Sequence, residues 1–212
     1  MTESSRNKPL GVILAGGQSR RMGGGDKALL ALGGRPVIGH VIARLAPQVA
    51  GLAINANGDA SRFDDFGLPV IADSIAGFAG PLAGVLAGLD WAATQGASHI
   101  VTAAADTPFF PTDLVARLQA AAKAAGVPIA LAASPDPLRG MNRHPTFGLW
   151  PVALRDDLRA ALQGGLRKVV LWTDRHGTAL AEFSSDPADP FFNINRPEDL
   201  ARAKTMLAGE TQ

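Results

Sequence analysis

The sequence predicts an α/β fold in which a mostly parallel sheet is covered by helices on both faces. Two observations point there: apolar runs of strand length alternate with stretches of helical spacing, and those runs are continuously apolar instead of alternating with polar residues. A strand with one wet face alternates. One that is apolar throughout needs cover on both sides, and helix-length connections between the runs favour parallel neighbours. With 47% hydrophobic residues in a chain of 212, there is material for one sizeable core.

Taken in order, the polar opening "MTESSRNK" predicts a disordered tail over residues 1–8, followed by a single domain over 9–212. The opening lacks the long apolar stretch of a signal peptide. Strands are expected at Leu10 to Leu14, Leu52 to Ala56, Val70 to Ala72, His99 to Ala105 and Pro128 to Ala133. Between them, helices are expected over Pro36 to Val49, Pro81 to Thr94 and Pro111 to Ala125. Each is opened by a proline, whose fixed φ and missing N–H suit a first helical turn. The last third reads differently: "TFGLW", "KVVLW" and "ALAEF" are short strand candidates, with helices at Pro151 to Gln163 and Pro197 to Leu207. The final helix opens with "RPEDL", which sets acids at its positive end. "SPDPLRGMNRHP", Ser134 to Pro145, has the composition of a long mobile loop.

A formal net charge of +1 with 18% charged residues leaves no basic field for coating nucleic acid or an anionic membrane, so any anion binding is local. The lack of cysteine excludes disulfides, thiolate metal sites and cysteine nucleophiles. No stretch reaches the ~18 uninterrupted apolar residues of a membrane span. A cytoplasmic protein with neither nucleic acid nor membrane as partner is expected.

The oddest passage comes directly after the first expected strand. Gly16, Gly17, Gly23, Gly24 and Gly25 are mixed with Arg20, Arg21 and Lys27, and only Asp26 opposes the charge. In an open α/β sheet ligands sit beyond the carboxyl ends of the strands. Glycines let backbone N–H groups approach an anion there, and the basic side chains add charge-assisted donors. A solvated surface loop is the plain alternative. Two familiar phosphate loops do not fit. A Walker loop needs Ser or Thr after its lysine, and Ala28 stands after Lys27; the dinucleotide fingerprint G-x-G-x-x-G does not match the spacing of Gly16, Gly17 and Gly23.

The longer spelling "LAGGQSRRMGGGDK" closely resembles the L-A-G-G-x-S-x-R-M-G signature, with its subsequent lysine, of the nucleotidyltransferases related to molybdenum cofactor guanylyltransferase. "INAN", "ADS", "GPLAG", "ADTPF", "HPTFGLW" and "FFNINRPEDL" match further family motifs in the same order, from Val12 to Leu200. The resemblance implies a single-domain, three-layer, Rossmann-like nucleotidyltransferase fold with a mostly parallel mixed sheet. It further implies that Leu14, Ala15 and Gly16 line the guanine and ribose, that Gly17 to Gly23 wrap the phosphates, and that Arg21 and Lys27 contact phosphate. Arg20 falls on a variable position.

The same resemblance places Asn55 and Asp73 on the nucleotide, although by residue type alone Asn55 reads equally as a strand-ending Asn and Asp73 as a turn acid. Gly80 and Gly84 in "GPLAG" would bring a helix start close to the base. Asp106 ends the most apolar strand, where a carboxylate either caps the "TPFFPTDL" segment or holds a metal. The family uses this aspartate to hold Mg²⁺, although Ala103 to Ala105 before it depart from relatives. Asn193 and Asn195 would complete the magnesium or pterin-phosphate side, with helix capping the alternative for Asn195. Arg143, as a phosphate donor, and His144, as a shaping residue, would flank the pterin. Among the other histidines, His40 reads as structural and His99 and His176 as surface residues, at spacings unsuited to a metal.

The reaction implied is transfer of GMP from GTP to the terminal phosphate of molybdenum-bearing molybdopterin, with transient contact to proteins that deliver or accept the cofactor. Relatives using CTP tend to spell "LAAG" where this chain has "LAGG". A CTP-dependent transferase on the same pterin, a sugar-1-phosphate transferase and a non-catalytic carrier of nucleotide or pterin are the competing readings.

Overall fold

The computed structural model describes residues 8–16, 26–75, 77, 80–138 and 140–210. Five parallel-type runs become strands close to their expected limits: β1 (Leu10–Leu14), β4 (Leu52–Asn55), β5 (Val70–Ile71), β6 (His99–Ala104) and β7 (Ile129–Asp136). With β8 (Gly140–Pro151) and β9 (Thr178–Glu182) they form one sheet of seven strands in the order β5-β4-β1-β6-β8-β7-β9. β8 alone runs antiparallel to both of its neighbours. All other pairs are parallel, so the sheet is mixed but mostly parallel. A small hairpin, β2 (Ala31–Leu32) with β3 (Arg35–Pro36), stands apart.

Helices cover both faces, as the uninterrupted apolar strands require. On one face α1 (Val37–Leu45) and α3 (Leu114–Ala125) bury Ile38, Val41, Leu45, Leu114 and Leu118 against Ile13, Ile54 and Val101. On the other, α2 (Pro81–Thr94), α4 (Arg155–Gln163) and α5 (Val169–His176) pack Leu86, Leu89, Leu158 and Trp172 against Val12, Ile100 and Trp150. α6 (Pro197–Glu210) closes a third, smaller cluster over the β2–β3 hairpin with Leu32, Val37, Phe109, Ile194 and Ala203. The buried Trp150 indole N–H donates to the Thr102 hydroxyl at 2.9 Å, which satisfies both polar groups in that core.

Four expectations are corrected. "KVVLW" is not a strand: Val169, Trp172 and Thr173 are buried in α5, at helical spacing with His176 one turn on. The Trp172 indole and His176 imidazole both reach Asp157 of α4, at 2.7 and 2.8 Å, and this tertiary anchoring overrides the β-branched composition. Ser134 to Pro145 is no loop but the paired arm of β7 and β8, from Ala133↔Arg143 to Asp136↔Gly140. Its prolines are tolerated because β9 stops at Ala133↔Glu182, leaving Pro135 on an edge, and Pro145 falls in the register break after Leu131. Pro111 lies ahead of α3, which begins at Leu114, and Pro36 belongs to β3. His99 and His176 are half-buried, and burial pushes the His99 pKa down.

Candidate active site

The sheet register sets the site. Leu14 pairs with Asn55 on one side and Ala104 on the other, and Asn55 pairs with Ile71, so four strands end in one row. Backbone bonds continue past the strands: Ala15 N–H donates to the Asn55 carbonyl at 2.8 Å, and Ala105 N–H to the Leu14 carbonyl at 3.1 Å. This carboxyl edge is where an open α/β sheet binds ligands. Most of the described sequence-named residues collect along it in two groups.

The first group surrounds Asp73. The Asn55 amide, 2% exposed, donates to Asp73 Oδ1 at 3.0 Å and to the Ile71 carbonyl at 3.2 Å. Asn57 donates to Asp73 Oδ2 at 2.8 Å and accepts the Asp73 backbone N–H at 2.9 Å. Asp73 is thus held from two sides by amides, leaving a half-buried carboxylate to face a donor-rich ligand edge. Asn57 was missed by sequence reasoning; its signal was the repeat of Asn two positions on in "INAN".

α2 starts beside this group. Gly80 precedes it at φ 144° and ψ 163°, a conformation essentially confined to glycine. Gly84 comes closer still: a Cβ there would stand 2.3 Å from Asn55 Oδ1 and 2.8 Å from Leu14 Cδ2. The "GPLAG" spelling therefore lets the helix lie directly on Asn55. Leu14 ends β1, and Ala15 and Gly16 follow it, on the same edge. Gly17 and Arg21, with the rest of residues 17–25, lie outside the described residues.

The second group surrounds Asp106. Lys27 opens a 3₁₀ turn, Lys27–Leu29, capped by Asp26, whose Oδ1 accepts the Ala28 N–H at 3.1 Å. Its ammonium donates to Asn195 Oδ1 at 2.9 Å, across 168 positions of chain. Asn195 Oδ1 is thereby engaged by the lysine, and the start of α6 has a cap of its own. Asp199 does that work, its Oδ2 accepting the backbone N–H groups of Asn195 and Arg196 at 2.9 Å each. The Ile194 N–H donates to the Asp106 carbonyl at 2.9 Å and ties the "FFNIN" segment to the end of β6. Thr107 joins the group: its hydroxyl donates to Asn193 Oδ1 at 2.7 Å, with Asp106 Oδ1 3.3 Å away.

Burial pushes the Asp106 carboxyl above its ordinary range, and the nearby Lys27 ammonium and Thr107 hydroxyl only partly oppose that. A half-buried, desolvated carboxylate of this kind gains most from a cation. The side chains linked to it carry hard oxygens: the Thr107 hydroxyl lies 3.3 Å away and bonds Asn193 Oδ1, and Asn195 Oδ1 joins through Lys27. Among the described residues no three His, Cys, Asp or Glu side chains converge. One carboxylate with oxygen neighbours suits Mg²⁺, which is commonly held by one or two carboxylates together with substrate phosphates and water.

Arg143 and His144 part company, since neighbours on a strand point to opposite faces. His144 stacks on Phe191, ring centroids 4.2 Å apart, and its Nε2 lies 2.8 Å from the Ser134 hydroxyl. Phe191 is two residues before Asn193, so His144 supports the segment that reaches Asp106. Burial pulls its pKa below the ordinary value, against the opposing charge of Asp189. Arg143 instead bonds Asp174 of α5 at 3.0 Å. His40 is structural, as expected, with Nε2 2.8 Å from the Leu32 carbonyl.

Comparison with known proteins agrees with this geometry. A family model described as "MobA-like NTP transferase domain" matches residues 11–178. A relative from Bradyrhizobium sp. (strain ORS 278), named "Molybdenum cofactor guanylyltransferase", is 51% identical over 213 residues, covering 99% of this chain and 98% of that one. The solved structure of molybdopterin-guanine dinucleotide biosynthesis protein A from Archaeoglobus fulgidus superposes with a TM-score of 0.70 at 23% identity, over 94% of this chain and 99% of that one. The 4-diphosphocytidyl-2C-methyl-D-erythritol synthase of Anaerococcus prevotii gives 0.74 at 13% identity, over 98% and 100%. At these identities the two structures speak for the fold alone. No described helix is long and apolar enough to cross a membrane.

Proposed function

Because the chain belongs to the family of MobA-like NTP transferase domains, we propose that it is a nucleotidyltransferase that moves GMP from GTP to the terminal phosphate of molybdenum-bound molybdopterin. The products are the guanine dinucleotide form of the cofactor and pyrophosphate. The observation that carries a transferase over a passive carrier is Asp106, a half-buried carboxylate, desolvated enough to raise its pKa, beside Lys27 at the sheet's carboxyl edge. Holding a nucleotide alone gives no reason to bear that burial cost. The choice of guanine and pterin rests on the relative's name.

In this reading Leu14, Ala15, Gly16, Asn55, Asp73, Gly80 and Gly84 form the base and ribose side. The two oxygens of Asp73 suit the adjacent N–H donors of guanine. Gly17, Arg21 and Lys27 take the phosphates. Asp106 holds Mg²⁺, with Asn193 and Asn195 on the metal or pterin-phosphate side, and His144 shapes the pterin end through Phe191. Arg143 is left out, since its guanidinium serves Asp174 on the other face.

The attacking pterin phosphate is a monoester whose second pKa is near 6, so it is already ionised and needs no general base. Its oxygen bonds to the α-phosphorus of GTP while the α–β bridging P–O bond breaks and pyrophosphate leaves. The obstacle is repulsion between anions, and positioning with charge neutralisation overcomes it. Bound Mg²⁺ supplies positive charge at the phosphate oxygens. Lys27, held by Asn195, presents a fixed ammonium to the polyphosphate. The reaction takes place in the cytoplasm, and the protein partners are those that bring or take the cofactor.

Thermal stabilisation by GTP, CTP, ATP and UTP, each with Mg²⁺, tests the nucleotide choice. A ligand at about 100 times its Kd adds about 2.7 kcal/mol, and GTP is expected to stabilise selectively. Selective stabilisation by CTP would instead make the chain a cytidylyl transferase.

A further inference from the structure

Arg62 belongs to none of the roles above, yet its guanidinium touches both halves of the site. It lies in the 3₁₀ segment Ala60–Phe66 beyond the end of β4. Its Nε donates to Asp26 Oδ2 at 3.0 Å, 36 positions away, and one terminal nitrogen donates to the Asn57 carbonyl at 2.9 Å. The other terminal nitrogen donates to the Asp59 carbonyl. The guanidinium carbon sits 4.7 Å from the Phe63 ring centroid, over its face. Arg62 and Asp26 keep 27% and 24% of their side-chain surface exposed, so the pair is half out of water.

The partners are informative. Asp26 immediately precedes Lys27 and, through Oδ1, caps the turn that carries it. Asn57 grips Asp73 by both ends of its amide. One rigid fork therefore ties the phosphate-side lysine to the base-side carboxylate. Only arginine has donors in a planar array that serve three such acceptors at once; a lysine ammonium keeps the charge but not the geometry.

We propose that Arg62 is a positioning residue for the nucleotide: by clamping Asp26 to the Asn57 loop it sets Lys27 at the distance from Asp73 that one GTP molecule spans. This rests on the reading of the site as a GTP site. Loss of the clamp leaves Lys27 and Asp73 individually intact but no longer preorganised, so nucleotide binding bears the cost of ordering them.

The test is GTP affinity by calorimetry, with Mg²⁺ and without pterin, for the wild type, Arg62→Ala, Arg62→Lys, Asp26→Asn, Lys27→Ala and the double variant Arg62→Ala/Lys27→Ala. Arg62→Ala, Arg62→Lys and Asp26→Asn are each expected to weaken GTP binding about tenfold, the worth of one charge-assisted hydrogen bond. In the Lys27→Ala background the effect of Arg62→Ala should shrink below about twofold, because the group it positions is gone. A purely structural arginine would lower thermal stability and leave this coupling at zero. Unchanged GTP affinity in the Arg62 variants, or the same factor lost with and without Lys27, overturns the proposal. Should Arg62→Ala not fold, Arg62→Lys and Asp26→Asn decide it by the same criterion. A wild type that binds no GTP overturns the site reading itself, which is a different result from a wild type that binds while the Arg62 variants match it.

Discussion

Gly84→Ala puts one methyl group against the base side of the site. The added Cβ would stand 2.3 Å from Asn55 Oδ1, 3.0 Å from Asn55 Cγ and 2.8 Å from Leu14 Cδ2. Asn55 has little room to retreat, being 2% exposed and bonded to Ile71 and Asp73. Overpacking of this kind costs about 1–3 kcal/mol, and pushing the amide off its two acceptors adds about 1–3 kcal/mol. The intrinsic helix preference of Ala over Gly returns only about 1 kcal/mol. The net expectation is a loss of about 2–3 kcal/mol, which for a chain of this size lowers Tm by about 5–10 °C. Denaturant unfolding measures the stability and calorimetry the GTP affinity, which should fall with it. Gly88→Ala is the control. Its Cβ would meet Val12 Cγ2 at 2.8 Å and Ile100 Cδ1 at 2.9 Å, an apolar overlap one turn further from the site, so stability should fall while GTP affinity holds. A Gly84→Ala protein that is stabilised, with GTP affinity unchanged, would refute the close approach of α2 to Asn55.

Asp106→Asn should reduce Mg²⁺-dependent transfer at least about a hundredfold, and near-wild-type turnover would remove the metal role. The same substitution should raise the Tm of the nucleotide-free protein at neutral pH. Burial raises the folded-state pKa of Asp106, so its contribution is fully present below the ordinary carboxylate pKa and is lost as pH rises through the raised value; an Asn variant lacking that pH slope is the expected result, and an unchanged slope the contrary one. Lys27→Ala should weaken GTP binding about 10- to 100-fold, read by calorimetry, and unchanged affinity would take Lys27 out of the site. His144 has the opposite sign. Its folded-state pKa is lowered, so stability is present above about pH 6.5 and declines as pH falls below it; His144→Gln should flatten that decline in denaturant unfolding.

The fold was legible wherever tertiary packing and local composition agree. The limits of β1, the full extent of α2 and the start of α6 at Pro197 match their apolar runs and proline-led helices. Legibility failed at α5, where Val169, Val170 and Trp172 look like strand residues. There the decisive bonds come from Asp157, a residue of another helix that no local window contains. The arm from Ser134 to Gly140 is illegible for a related reason, because its residues have the composition of a loop yet pair across a hairpin. At the site, the residues with a family spelling, those of "ADTPF" and "FFNIN" among them, carry a local signal, whereas the contact between those two segments does not. Arg62 carries no such signal, and Asn57 and Thr107 stand inside "INAN" and "ADTPF" with only a weak one. Their importance lies in which side chains they hold, and those partners become neighbours only once the strands are in register.

Pyrophosphate release from GTP, measured with Mg²⁺ in the presence and absence of molybdenum-bound molybdopterin, tests the central claim most directly. Release is expected to require both substrates, to be matched one for one by guanine dinucleotide product, and not to occur with CTP in place of GTP. Release that proceeds equally well from CTP, or no release with either nucleotide while GTP still binds, would contradict it.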